Sequence, residues 1–323
     1  MPDYTQLKGV SNIANSMIST QISDNVIEFF NWGLLEAGGY FNVNMPASGL
    51  YGGDKHKLRL VDDPNYTAGQ VWEGYRSNWV WETGVAPSTQ PIQISGVYVG
   101  GDFQPGTGVG TYAHHVDYPN GRVVFDTAIA TTSTVSIEFS YKWVNVIKAE
   151  GIPWFREIQY NSQRVDSDHF LQTGSGDWSQ LGQTRVQLPA IAVEVVPRRR
   201  FEPHELGSTR RAYTDVLLHV LAEEEYTASQ LVDTVTLQEE KTLWMFDTNL
   251  LATQNKYPLN YRGELTTHAL ASGRYPDLVS PTSEDGLRWK KMFIPTCVSQ
   301  GLSMLNPNLY VGTVRMTTEV TGI

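Results

Sequence analysis

The sequence predicts an α+β protein: an N-terminal mostly antiparallel β domain with a long amphipathic helix, then a C-terminal α+β sheet-plus-helix domain. Three observations carry this. Apolar residues near the N-terminus recur at three- and four-residue steps. From Tyr40 to about Ala149 the chain is rich in Val, Ile, Tyr, Trp and Phe between turn residues. Beyond residue 185, strand-like stretches surround one strong helical stretch. A length of 323 residues suits about two domains. We draw them at 1–150 and 185–323, with 151–184 as a polar, glycine-bearing loop or insertion.

The helix is expected over 11–37. Ser11 is the N-cap, and Ile13, Met17, Ile18, Ile22, Val26, Phe29 and Phe30 form its apolar stripe. Gly38-Gly39 stops it. Such a helix suits packing on its own domain or docking on a partner. Strands are expected at Lys57–Val61, Gln70–Trp81, Ile92–Val99, Arg122–Ile129 and Thr134–Ile147. Asn120-Gly121 lies between two strand-like flanks and marks a hairpin turn. In Ser136–Val146, Ile137, Phe139, Tyr141, Trp143 and Asn145 alternate with Glu138, Ser140 and Lys142, which predicts a sheet wet on one side.

In the second half, Val186–Val196 is a strand whose Pro189 must start it or lie at an edge. Tyr213–Ala222 is a second strand, with Val216, Leu218 and Val220 on one face. Glu223, Glu224 and Glu225 open a helix whose buried stripe is Ala228, Leu231, Val232 and Val235. Thr242–Asp247 is a helix end or a strand, and Trp289–Val298 and Tyr310–Val320 are closing strands.

Composition narrows the function. Lys+Arg of 24 against Asp+Glu of 34 gives a net charge of -10, which repels phosphate backbones. The single cysteine, Cys297, excludes an internal disulfide and a cysteine-built zinc site. No run reaches the ~18 apolar residues of a membrane span, and Met1–Val10 lacks the apolar region of a signal peptide, so a soluble protein made in the cytoplasm is expected.

No motif carries catalysis. The glycine-rich Pro105–Thr111 lacks the Lys-Ser/Thr and the helix of a phosphate cradle and reads as a hairpin loop. His114-His115 with Asp117 fails as a metal site because adjacent strand residues face opposite ways, and His204-Glu205 is similarly weak. Asp62-Asp63 and the Asp166, Asp168 pair sit in turn-like or polar stretches, which favours solvation over glycosidase chemistry. No catalytic, cofactor-binding or metal residue is assigned, no cofactor is expected, and the protein is not read as an enzyme. Arg198, Arg199 and Arg200, with Arg210-Arg211, are the runs of adjacent arginines. They suit ion pairing within the fold or against an acidic neighbour. Arg198, Arg199, Arg200, Glu239 and Glu240 are therefore the candidate subunit interface. Nine Trp and sixteen Tyr, including Trp72, Tyr75, Trp79 and Trp81, suit either a β core or wide contacts.

The run Leu188-Pro189-Ala190-Ile191, then Phe201-Glu202-Pro203-His204-Glu205-Leu206-Gly207, Asp215–Ala222 and Ala228–Asp233, resembles neck and tail-completion (tail-terminator-like) virion structural proteins of tailed bacteriophages. Tyr118–Phe125 followed by Tyr141–Val144 similarly resembles β-hairpin modules of virion proteins. The two together cover about half the chain. The family's terminator domain is much shorter, so the β-rich first half departs from it. The resemblance implies a homo-oligomeric ring at the head-tail neck, in a tail terminator, tail completion or connector role. Its partners would be other copies and neighbouring neck and tail proteins, with DNA passing only through the lumen and no membrane contact. The location would be the virion neck or tail, assembled in the host cytoplasm. A collar, tail-tip or baseplate component is the alternative within the class, and a carbohydrate-binding β module of a fibre or secreted protein is the alternative outside it.

Overall fold

The computed structural model describes residues 18–45, 55–85, 89–106, 110–149, 187–203, 210–253, 257–266, 278, 289–306 and 309–322. In chain order the elements are α1 (Ile18–Glu36), β1 (Tyr40–Val43), β2 (Lys57–Leu60), β3 (Val71–Glu73), β4 (Gly96–Val99), β5 (Asp102–Pro105), β6 (His114–Asp117) and β7 (Arg122–Phe125). Next come β8 (Val135–Ser136), β9 (Phe139–Lys142), β10 (Asn145–Lys148), β11 (Ala190–Pro203), β12 (Arg210–Ala222) and α2 (Glu225–Thr236). The chain closes with β13 (Lys241–Trp244), α3 (Thr248–Thr253), β14 (Trp289–Asn306) and β15 (Leu309–Gly322). The protein is mostly β with some helix.

The strands form three sheets. One has seven strands in the order β5-β4-β8-β2-β3-β7-β6, one has six in the order β10-β11-β12-β15-β14-β13, and β1 pairs with β9 alone. The seven-stranded sheet is curled. β5 and β6 are its two edges, yet a Cβ on Gly106, just after β5, would lie 3.7 Å from His114 Nε2 at the start of β6. The strands flanking the glycine-rich run do not pair with each other as the expected hairpin requires: β4 pairs with β5 and β6 with β7, and 107–109 of the run lie outside the described residues. Inside the curl lie Trp72, Tyr75, Trp79, Trp81, Phe125, Ile137 and Phe139. The four aromatics offered as possible contact surface are all buried core. Burying such rings is worth a few kcal/mol each.

The hairpin is where the sequence places it. Asp117 pairs with Arg122, Gly121 N–H donates to Tyr118 O at 3.2 Å, and Gly121 has φ +64°. The loop spans four residues, Tyr118–Gly121, with Gly121 as its one left-handed position and Pro119 where the turn takes a negative φ.

Thr134–Ile147 is not one strand wet on one side. It supplies β8, β9 and β10 to three different sheets. Phe139, Ser140, Tyr141 and Lys142 are all buried. The physical reason is a second layer: β1 pairs beside β9, and Glu82 receives the Lys142 side chain.

The six-stranded sheet is antiparallel except for β10, which runs parallel to β11. β11 begins directly after Pro189, as its missing N–H requires. α2 lays Ala228, Leu231, Val232 and Val235 on the sheet. α1 packs on the same sheet: Ile18, Ile22, Val26 and Phe30 share a core with Val144, Ile191, Leu218, Leu231 and Val314. Trp32 and Leu35 meet Val80 and Val85. α1 and β10, though within 1–150, thus serve the second sheet. Ser11, Ile13 and Met17 lie outside the described residues, as does the stretch 151–184. α1 stops in a Schellman turn: Gly39 N–H donates to Leu34 O, Gly38 N–H to Leu35 O, and Gly38 has φ +84°.

Candidate functional site

Arg198, Arg199 and Arg200 sit in the outer half of β11, where the register against β12 shifts between Val195 and Arg199. Thr214 Oγ1 pins the bulge by donating to Val196 O at 3.0 Å and Arg198 O at 3.1 Å. Arg198 and Arg200 are exposed, Arg200 pairs with Glu202, and Phe201 beside them is 50% exposed. Glu239 and Glu240 are exposed at the turn from α2 into β13. Glu240 holds φ +61°, and its N–H donates to Ile294 O at 2.8 Å. Strands β12, β15 and β14 separate β11 from β13. The two charged groups therefore lie toward opposite edges of one sheet and do not meet within the chain. Arg211 is different: it pairs with Glu319 at 2.9 Å, an ion pair within the ladder.

The other sequence candidates are scattered. His114 is buried, with Nδ1 2.8 Å from Tyr112 O, and burial pushes its pKa below the ordinary value. His115 faces the other way, 3.2 Å from Glu264 Oε1. Asp117 accepts from Asn120 Nδ2 at 2.7 Å; burial raises its pKa against that hydrogen bond. Asp63 accepts from Asn65 and pairs with Arg122 at 3.4 Å. His204, Glu205, Asp166 and Asp168 lie outside the described residues. Among the described residues, no group of three or more His, Cys, Asp or Glu is placed to hold a metal ion.

Two features escape sequence reading. The first is a groove of about 740 Å³ between the hairpin and segment 257–265, lined by Asp63, Tyr66, His115, Asn120, Tyr261 and Arg262 among others. Tyr66 is 41% exposed and Tyr261 89%. The segment is held by Asn260, whose Oδ1 accepts from Arg262 N–H at 2.8 Å and Glu264 N–H at 3.1 Å. Tyr118 N–H donates to Gly263 O at 3.2 Å, docking it on the hairpin. Asn260 followed by Gly263 is a turn signal that could have found the segment, but not its partner.

The second is a buried ionisable cluster. Lys142 Nζ lies 2.6 Å from Glu82 Oε1, with side chains 4% and 2% exposed. Burial pushes Glu28 up to about 7; Lys142 opposes this, and Glu82 and Asp24 add to it. Tyr257 is held well above its ordinary value by burial, then by Glu28, Asp24 and Glu82. Asp24 pairs with Lys148 at 2.8 Å and accepts from Thr248 Oγ1 at 3.1 Å. Nearby, Asn25 Nδ2 donates to Phe246 O and its Oδ1 accepts from Phe246 N–H. The cluster ties α1, the β9 strand and the chain around α3 together.

Among the described residues, no helix is long and apolar enough to cross a membrane. No family model, curated protein or solved structure matches this chain.

Proposed function

We propose that this chain is a virion structural protein of a tailed bacteriophage, forming an oligomeric ring at the head-tail neck in a tail terminator, tail completion or connector role. One observation carries the reading. The six-stranded sheet bears an arginine strip toward one edge and a glutamate pair toward the other, three strands apart. They cannot neutralise each other within a chain. Between copies arranged head to tail they can, and a head-to-tail contact closes into a ring when its rotation permits. Of the residues that carry the family resemblance, Ala190-Ile191, Phe201–Pro203, Asp215–Ala222 and Ala228–Asp233 lie in β11, β12 and α2 of this sheet-plus-helix unit, Leu188-Pro189 leads into it, and 204–207 lie outside the described residues. A net charge of -10 suits a lumen that lets DNA pass without gripping it. Light scattering after size-exclusion chromatography, with negative-stain imaging, tests this. Closed rings support it, and a monomer at every concentration overturns it.

A second reading rests on the groove. Exposed Tyr66 and Tyr261 beside Asp63, Asn120 and Arg262 offer the stacking faces and polar groups that a saccharide uses. A monomer retarded in affinity electrophoresis by a polysaccharide, with retardation lost in Tyr261→Ala, would favour this carbohydrate-binding role.

A further inference from the structure

The six-stranded sheet has two incompletely covered edges. On one side β10 covers Ala190–Val193 of β11, and on the other β13 covers Lys291–Ile294 of β14. Among the described residues, neither Glu194–Pro203 nor Thr296–Leu305 has a strand on its outer side. Their chemistry is opposite. The β11 edge carries Pro197 and three arginines, devices that keep strand edges from pairing, and both edges are bulged, β11 between Val195 and Arg199 and β14 between Ser299 and Leu302. The β14 edge carries no charge at all: from Phe293 to Val314 there is no Asp, Glu, Lys or Arg. It is also apolar, with Val298 57%, Leu302 36%, Met304 60% and Leu305 39% exposed. A long, neutral, apolar free edge is a template for another strand.

We infer that Thr296–Leu305 of β14 pairs antiparallel with the same segment of a second copy, about a two-fold axis near Gly301. Two arguments select that occupant. Each chain carries a net charge of -10, so two copies repel over most approaches, and this strip lets their backbones meet with no charge on either side. The pairing is also self-complementary. The segment beside itself about a two-fold runs antiparallel, as β15 does on its inner side, with the Ser299–Leu302 bulge of the two copies meeting at the axis. Gly301, at φ +120° with nothing within 4 Å of its missing Cβ, leaves the centre of the contact open for close backbone approach. β13 caps the upper end at Ile294 and sets the length of the new ladder to about ten residues. This contact stands apart from the arginine–glutamate contact. It pairs copies two by two, so its loss leaves a ring closed, and the absence of rings leaves it in place.

The test uses the full chain with Gln300→Cys and a short bis-maleimide. Cys297 is buried, and burial pushes its thiol up to about 11, so it does not compete at neutral pH. Covalent dimers should form with Gln300→Cys and not with Arg200→Cys. Val298→Lys with Met304→Lys, both exposed, should keep the folded circular dichroism spectrum and weaken the dimer at least about tenfold, since like charges then face each other across the strands. Amides of 296–305 should become protected from hydrogen exchange as concentration rises. Three results overturn the inference: no cross-linked dimer, cross-linking only between Gln300→Cys and Arg200→Cys chains, or protection of 296–305 already complete in the monomer. The last would mean that another part of the same chain covers the edge.

Discussion

The two large sheets of this protein treat their edges in opposite ways. The seven-stranded sheet curls until its terminal strands β5 and β6 approach, enclosing the aromatic core around Trp79 and Phe139. Among the described residues the six-stranded sheet stays open, and its long strands β11 and β14 run past the short strands that cover them. A sheet that curls until its terminal strands approach leaves less room for a partner strand at those edges. An open sheet leaves its edge hydrogen-bonding groups available, and the side chains along each free edge then decide what may bind. Under the proposed assembly the open part is the one that associates and the curled part is its scaffold. Substitutions in the scaffold and its junction should change stability, and substitutions along the open edges should change association.

The largest expected effect lies at the junction. Lys142 is the buried cation facing Glu82, with Glu28 and Asp24 nearby. Lys142→Met leaves the Glu82 carboxylate, 2% exposed, without its cation, which costs about 3–5 kcal/mol. Urea denaturation should show this loss, and an unchanged midpoint would mean that Glu82 reaches solvent once Lys142 is gone.

Next comes the scaffold itself. A Cβ on Gly121 would lie 2.5 Å from Arg76 O and 2.8 Å from Ser77 Cα, at φ +64°. Gly121→Val thus combines a left-handed backbone with a steric clash, and we expect about 2–4 kcal/mol of lost stability. Thermal melting checks this. A wild-type Tm would show that residues 76–77 yield freely, although Arg76 Nη1 donates to Leu188 O and Ser77 N–H to Gln187 Oε1 across the junction.

How much of this comparison was legible in the sequence differs by element. α1 from Ile18, β12 and α2 are readable because each has one period sustained over ten or more residues. The hairpin is readable from Asn120-Gly121. The partition of strands between sheets is not, because alternation is blind to the bends that send β8, β9 and β10 to three sheets. β5 leaves little trace: its one large apolar residue, Phe103, is 46% exposed. The arginine strip and the glutamate pair are visible as charge runs, but their placement toward opposite edges depends on strand order. The buried cluster was invisible, since Asp24, Glu28, Glu82, Lys142 and Tyr257 span most of the chain and meet only in the fold.

A smaller effect sharpens the account of that cluster. Folded Glu28 holds its proton up to about pH 7, whereas the ordinary value is 4.5. Between those values the folded chain binds more protons than the unfolded one, so this group's contribution to stability falls as pH rises from about 4.5 to about 7 and stays low above. Glu28→Gln removes the penalty. Because Glu28 is partly exposed, the gain should be modest, about 1 kcal/mol at pH 8 and near zero at pH 4. Denaturation curves at the two pH values read the difference. A gain of equal size at both would show that Glu28 ionises as freely in the folded protein as in the unfolded one.

The smallest expected change in stability is the one that bears most on assembly. Arg198 and Arg200 are exposed on the β11 edge, whereas the Arg199 Nε is buried. Reversing only the exposed pair, Arg198→Glu with Arg200→Glu, should therefore shift the unfolding free energy by no more than about 0.5 kcal/mol. The Arg200–Glu202 pair is mostly exposed, and such pairs contribute little. If the strip meets Glu239 and Glu240 of a neighbour, the reversal sets four carboxylates against each other at the contact. Rings should then fall to smaller species, most completely at low salt, where repulsion between exposed charges is least screened. Adding Glu239→Lys and Glu240→Lys to the same chain should restore them, because the contact then has opposite charges with the signs exchanged. Loss in the double variant with recovery in the quadruple one ties the two edges to one contact. Normal rings from the double variant at low salt would make the strip a solvated face, and loss without recovery would place the arginines against something other than the glutamates.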